Sequence, residues 1–65
     1  MHVRVRHITR DDARTWLTMR QELWPDGAAD HAPEIASFFA GTLREPAAVM
    51  VAENADGAIV GFVEL

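Results

Sequence analysis

Val49-Met50-Val51-Ala52-Glu53, Asn54-Ala55-Asp56-Gly57 and Ile59-Val60-Gly61-Phe62-Val63-Glu64-Leu65 read in succession as strand, turn and strand. Asp-Gly between two β-prone runs is a strong short-range hairpin signal, because glycine supplies the positive φ that a tight reversal needs. The opening His2-Val3-Arg4-Val5-Arg6-His7-Ile8 alternates apolar and polar side chains. It predicts a half-buried strand with Val3, Val5 and His7 on one face and Arg4 and Arg6 on the other.

Two helices are expected between the first strand and the hairpin. Thr9 offers a hydroxyl cap and Asp12 follows three residues on, a variant of the capping box, so the first helix should begin at residue 10 or 11. Ala13, Trp16, Leu17, Met19, Leu23 and Trp24 keep three-and-four spacing, and Pro25-Asp26-Gly27 ends the pattern. A small-residue spacer, Gly27 to Asp30, precedes the second helix. Asp30 reads as its cap, Pro33 as first turn, and Ile35, Phe38, Phe39 and Leu43 as its apolar stripe. Gly41 is expected to weaken that helix and Glu45-Pro46 to stop it. The result is an α/β (α+β) chain, β-α-α-β-β, with antiparallel strands. The expected core is Val3, Val5, Leu17, Leu23, Ile35, Phe38, Phe39, Val49, Val51, Ile59 and Phe62, with Trp16 beside them.

Composition limits the rest. The 65 residues are 49% hydrophobic and 25% charged with no cysteine, too apolar for a disordered tail and without thiol or zinc-thiolate chemistry. A chain this short without a staple has a marginal core, so residues 1–65 make one small domain at most, which folds alone only marginally or belongs to something larger. No apolar run approaches the ~18 residues of a membrane span and the start lacks a signal-peptide core, so the expectation is a cytoplasmic protein with no membrane partner. Charge is uneven: residues 1–20 sum to +3 and residues 21–65 to −7, for a net −4. That sign, and the lack of any lysine, disfavour a nucleic-acid partner, leaving Arg4, Arg6 and Arg10 as a solvated strand face.

Few residues suggest chemistry. Trp24 sits at a helix end beside a chain break, where an indole can leave the core and line a cleft; packing is the alternative. Asp26, Asp30, His31 and Glu34 form a polar, mainly acidic stretch between the helices, for which helix capping is the plain reading. His2, His7 and His31 have no metal-ligand spacing, so no metal is expected. The last strand, Gly61 through Leu65, has no proline or lysine to blunt its free edge and expects a neighbour: further chain, a second chain or a second copy.

Taken in order, Glu22-Leu23-Trp24-Pro25-Asp26, His31-x-x-Glu34-Ile35, Val51-Ala52-Glu53 and Asp56-Gly57-x-x-Val60-Gly61-Phe62-Val63-Glu64 resemble the N-terminal part of a GNAT-superfamily N-acetyltransferase, with the aminoglycoside 6′-N-acetyltransferases as the nearest likeness. The resemblance implies acetyl transfer from acetyl-CoA to a primary amine of an aminosugar. The deprotonated amine would attack the thioester carbonyl while a strand amide stabilises the oxyanion. It assigns Trp24, Asp26, His31 and Glu34 to the acceptor side and makes Glu64 a candidate general base. The family's Gly-rich pyrophosphate turn is not matched by Gly27, Gly41, Gly57 or Gly61, so no cofactor-binding residue is expected in this chain and the 65 residues alone are expected to be inactive. A small interaction module pairing through its last strand is the alternative.

Overall fold

The computed structural model describes residues 2–65, with residues 27–29 described by backbone alone. Strand β1 (Val3–His7) passes through a 3-10 turn (Arg10–Asp12) into helix α1 (Ala13–Leu23). A second 3-10 turn (Pro25–Gly27) leads to α2 (Ala28–Ala40), followed by β2 (Val49–Asn54) and β3 (Ile59–Glu64). The strands form one antiparallel sheet in the order β1-β2-β3. The expected α+β class and β-α-α-β-β order are those observed.

The hairpin is fixed by Asn54 as much as by Asp-Gly. Its side-chain Oδ1 accepts the backbone N–H groups of Asp56 and Ala58, both at 3.0 Å, and Gly57 takes φ 84°. An asparagine oxygen standing in for a backbone acceptor is what organises such a turn. The register that follows places Val49 opposite Glu64 and Val51 opposite Phe62.

Helix ends differ from the spacing in two ways. Alpha-helix α2 starts at Ala28, so the small-residue spacer is mostly helix, Asp30 lies in the first turn and Pro33 is inside. Alanine is the best helix former, and one lost backbone bond at a proline near the start does not overturn it. At the other end Gly41, with φ 77°, terminates the helix: its N–H donates to Phe38 O (3.1 Å) and that of Thr42 to Ser37 O (3.0 Å). This paired closure satisfies the last carbonyls, and the helix ends before Glu45-Pro46 is reached.

Both helices cover one face of the sheet. Trp16, Ile35 and Val49 form the buried centre, with Ile8, Ala13, Leu17, Phe38, Phe39 and Phe62 packed around it. The Trp16, Phe38 and Phe39 rings meet edge to face, with centroids 5.2–5.9 Å apart.

The expected alternation in β1 is present but its inward side is reversed. Arg6 lies across from Val51 on the helix face, whereas Val3 and Val5 are 50% and 64% exposed on the open face, with Val5 opposite Ala52. Leu23, also expected in the core, is 58% exposed at the end of α1. The inward arginine is tolerated because it is neutralised: Arg6 Nη1 and Nη2 donate to the two Asp12 carboxylate oxygens at 2.8 and 3.1 Å, and Nη2 to Glu53 at 3.2 Å. The accessible surface, 4618 Å² for 7.2 kDa, exceeds the about 4,100 Å² expected of a compact monomer, in keeping with an uncovered sheet face.

Asp12 ties this corner to the start of α1. Its Oδ2 also accepts the backbone N–H of Thr9 (2.8 Å) and its hydroxyl (3.1 Å), the side-chain half of the expected capping box. The Arg6 hydrogen bonds first, then those from Thr9, outweigh burial and hold the Asp12 carboxyl down at about 2, from 3.8. A depressed carboxyl contributes stability that is fully present above its unfolded pKa and is lost as pH falls from about 4 to 2. Asp12→Asn should therefore cost about 2 kcal/mol at neutral pH, allowing for the partly exposed guanidinium, and should flatten the acid limb of the unfolding profile in that window. Urea titrations of both proteins at pH 7 and pH 3 check this.

Candidate functional site

Trp16 and Arg20, four apart, share a face of α1, and Trp24 follows at the residue just beyond the helix. The side chain of Arg20 lies between the two indoles, with Cζ 5.8 Å from each ring centroid. The guanidinium is buried, its side chain 9% exposed, and it is met by two carboxylates. Nη2 is 2.7 Å from Glu34 Oε2 on α2, and Nε is 3.0 Å from Glu64 Oε2 on β3, both of them ion-pair contacts. Removing one partner from a buried charge pair costs about 3–5 kcal/mol, whereas an exposed pair contributes little. The Glu64 arm is of the first kind, with 15% exposure, and the Glu34 arm, at 42%, is nearer the second.

Glu64 is bound a second time, because Trp16 Nε1–H donates to the same Oε2 at 2.9 Å. This carboxylate joins α1 to the last strand and sits behind the guanidinium.

His31 is buried in α2. Its Nε2 lies 2.9 Å from the backbone oxygen of Trp24, which can only accept, so Nε2 carries the proton and caps one of the carbonyls left open at the end of α1. Its Nδ1 is buried with no partner among the described residues. The Trp24 ring is 46% exposed, its centroid 6.4 Å from that of His31 and 6.5 Å from that of Phe62.

Arg20, Trp24, Asp30, His31 and Glu34 line one open recess of about 280 Å³. Three of the four residues expected on a binding wall, Trp24, His31 and Glu34, are thus brought together, and Asp30 joins them. Asp26 lies exposed in the Pro25–Gly27 turn and does not line the recess. Arg20 was not singled out by sequence, although its signal is there in the Trp-x-x-x-Arg-x-x-x-Trp spacing. On the far side of Arg20, a second cleft of about 580 Å³ runs past Glu64 to Arg44, Glu45, Pro46 and Leu65. Among the described residues no group of three His, Asp or Glu side chains converges as a metal set would. Among the described residues no helix is long and apolar enough to cross a membrane.

Compared with known proteins, the chain is 48% identical over 62 residues, 94% of its length, to the aminoglycoside N(6′)-acetyltransferase type 1 of Klebsiella aerogenes. It spans 41% of the length of that relative. No family model and no solved structure matches it.

Proposed function

On the premise that this chain is related along almost all its length to an aminoglycoside 6′-N-acetyltransferase, we propose that it forms the acceptor-side wall of such an enzyme. The reaction is transfer of an acetyl group from acetyl-CoA to a primary amine of an aminosugar. The observation that carries this reading is the recess itself: a half-exposed indole beside the carboxylates of Asp30 and Glu34. Asp30, Glu34 and Glu64 against Arg20 leave two formal negative charges at this corner. A wall so charged attracts ammonium groups, and the Trp24 face offers CH and cation attraction to the sugar.

Within this scheme Trp24 and Glu34 contact the acceptor, Asp30 supplements them, and His31 shapes the floor. Asp26 would act only on the outermost part of a large acceptor. Glu64 serves better as anchor than as general base, since its Oε2 is committed to Trp16 and Arg20. The residues of this chain do not fit a pyrophosphate cradle. Asp11 and Asp12 occupy the first turn leading into α1 and Asp30 that of α2, where an anion would need bare N–H groups. The acetyl-CoA site and the general base are therefore assigned to the enzyme as a whole and not to these side chains.

A transfer assay with labelled acetyl-CoA tests the reading. Kanamycin should be acetylated by the complete enzyme, and a derivative with its 6′-amine replaced by hydroxyl should not; equal labelling of both would exclude the assigned regiochemistry.

The interaction-module alternative draws on one observation: β3 is an outer strand of the sheet, with Val60, Val63 and Leu65 48–65% exposed. Sedimentation of the 65-residue chain separates the two. The module reading requires a concentration-dependent dimer, and the acceptor-wall reading does not.

A further inference from the structure

We infer that Arg20 is a positioning residue of the acceptor wall: it ties Glu34 of α2 to Glu64 of β3 across the end of α1 and holds the Trp24 indole beside the recess. The inference rests on the acceptor-wall reading above.

The geometry separates two carboxylates by means of one cation. Glu64, 15% exposed, is fixed from behind by the Trp16 indole N–H and faces the inner edge of the guanidinium. Glu34, 42% exposed, meets the outer edge through Oε2 and has no partner for Oε1 among the described residues. One oxygen of Glu34 is thus held and the other is left for a ligand. Without the guanidinium the two carboxylates would repel each other, and Glu34 would regain the rotamers that its exposed position allows.

The identity of the cation matters as well as its charge. A guanidinium is flat, so it can lie near the Trp16 and Trp24 rings while its edge nitrogens reach outward to two acceptors. An ammonium is a compact point charge, strongly hydrated, and cannot serve both carboxylates and both indoles at once. Arg20 already lies against one side of the Trp24 ring, Cζ 5.8 Å from its centroid. An incoming ammonium must therefore use the outer side of the indole and of Glu34, which fixes the direction of approach.

Steady-state kinetics on the complete enzyme, with kanamycin and acetyl-CoA varied in turn, test this. Arg20→Lys should raise the kanamycin KM about 10-fold, the scale of one lost charge-assisted contact, and leave the acetyl-CoA KM within about twofold. Because Arg20 acts in large part through Glu34, adding Arg20→Lys to Glu34→Gln should raise the kanamycin KM by clearly less than Arg20→Lys does alone. An unchanged kanamycin KM, effects that multiply in the double variant, or an equal rise in both KM values would overturn the inference while leaving the parent enzyme active. A parent that acetylates no amine would overturn the acceptor-wall reading, and the inference with it. Should Arg20→Lys fail to fold, the guanidinium protons of the 65-residue chain decide by NMR. Slow exchange that quickens in Glu34→Gln supports the clamp; exchange unaffected by Glu34→Gln overturns it.

Discussion

Trp16→Ala is expected to unfold the protein at room temperature. The side chain is 1% exposed and its ring meets Phe38 and Phe39 edge to face, so truncation leaves a void that two helices and a sheet cannot all close. Replacing a buried tryptophan by alanine costs about 3–5 kcal/mol. A chain of this length has roughly 3–10 kcal/mol in total to lose, which the missing sheet cover pushes toward the lower end. The same truncation removes the indole N–H from Glu64 and one aromatic neighbour from Arg20, leaving a buried ion pair less well held. Trp16→Phe separates the contributions, since it keeps most of the apolar area and loses only the hydrogen bond, about 1–2 kcal/mol. Far-ultraviolet circular dichroism against temperature checks both. An alanine variant melting within a few degrees of the parent would mean that the core is centred elsewhere.

Trp24→Ala is expected to act on the acceptor and hardly on the fold. At 46% exposure the ring contributes less to packing than Trp16, and its surroundings are a recess and not a core. Cation and CH attraction to an indole face is worth about 0.5–2 kcal/mol, so the acceptor KM in the complete enzyme should rise roughly 2- to 30-fold. Acetyl-CoA affinity should stay nearly constant, because Arg20, the cation beside Trp24, is already paired with Glu34 and Glu64. An unchanged acceptor KM would remove Trp24 from the wall.

The elements themselves were legible because each has a local cause. The Asp-Gly turn, the Thr9 and Asp12 start and the spacing of α1 depend on residues a few positions apart; the turn and the Thr9–Asp12 contacts are present, while α1 itself begins at Ala13 after a 3-10 turn and not at residue 10 or 11. Beta-strand β1 shows where local reading stops. Its period-2 pattern states that Val3 and Val5 share a face, but which face meets the helices depends on Asp12 and Glu53, six and 47 residues from Arg6. A valine face was the natural choice for the core, and a charge network reversed it.

The site divides in the same way. Trp24, His31 and Glu34 could be named because they flank a visible chain break, and the fold gathers them. Arg20 could not be named from the sequence, because its two carboxylate partners are distant along the chain, at positions 34 and 64. Glu64 drew attention as a carboxylate on the last strand, and only its Trp16 and Arg20 contacts reveal an anchoring position. Burial of a charge is a property of the assembled fold. A sequence shows it only through spacing, here the paired tryptophans four residues to either side.

The central claim, an acceptor wall without a cofactor cradle, is met most directly by nitrogen-15 NMR spectra of the 65-residue chain titrated separately with kanamycin and acetyl-CoA. Kanamycin should shift the Trp24 indole and the backbone amides of Asp30 and Glu34, and acetyl-CoA should shift nothing. Saturable binding of acetyl-CoA, or kanamycin shifts that leave this recess untouched, would contradict the account.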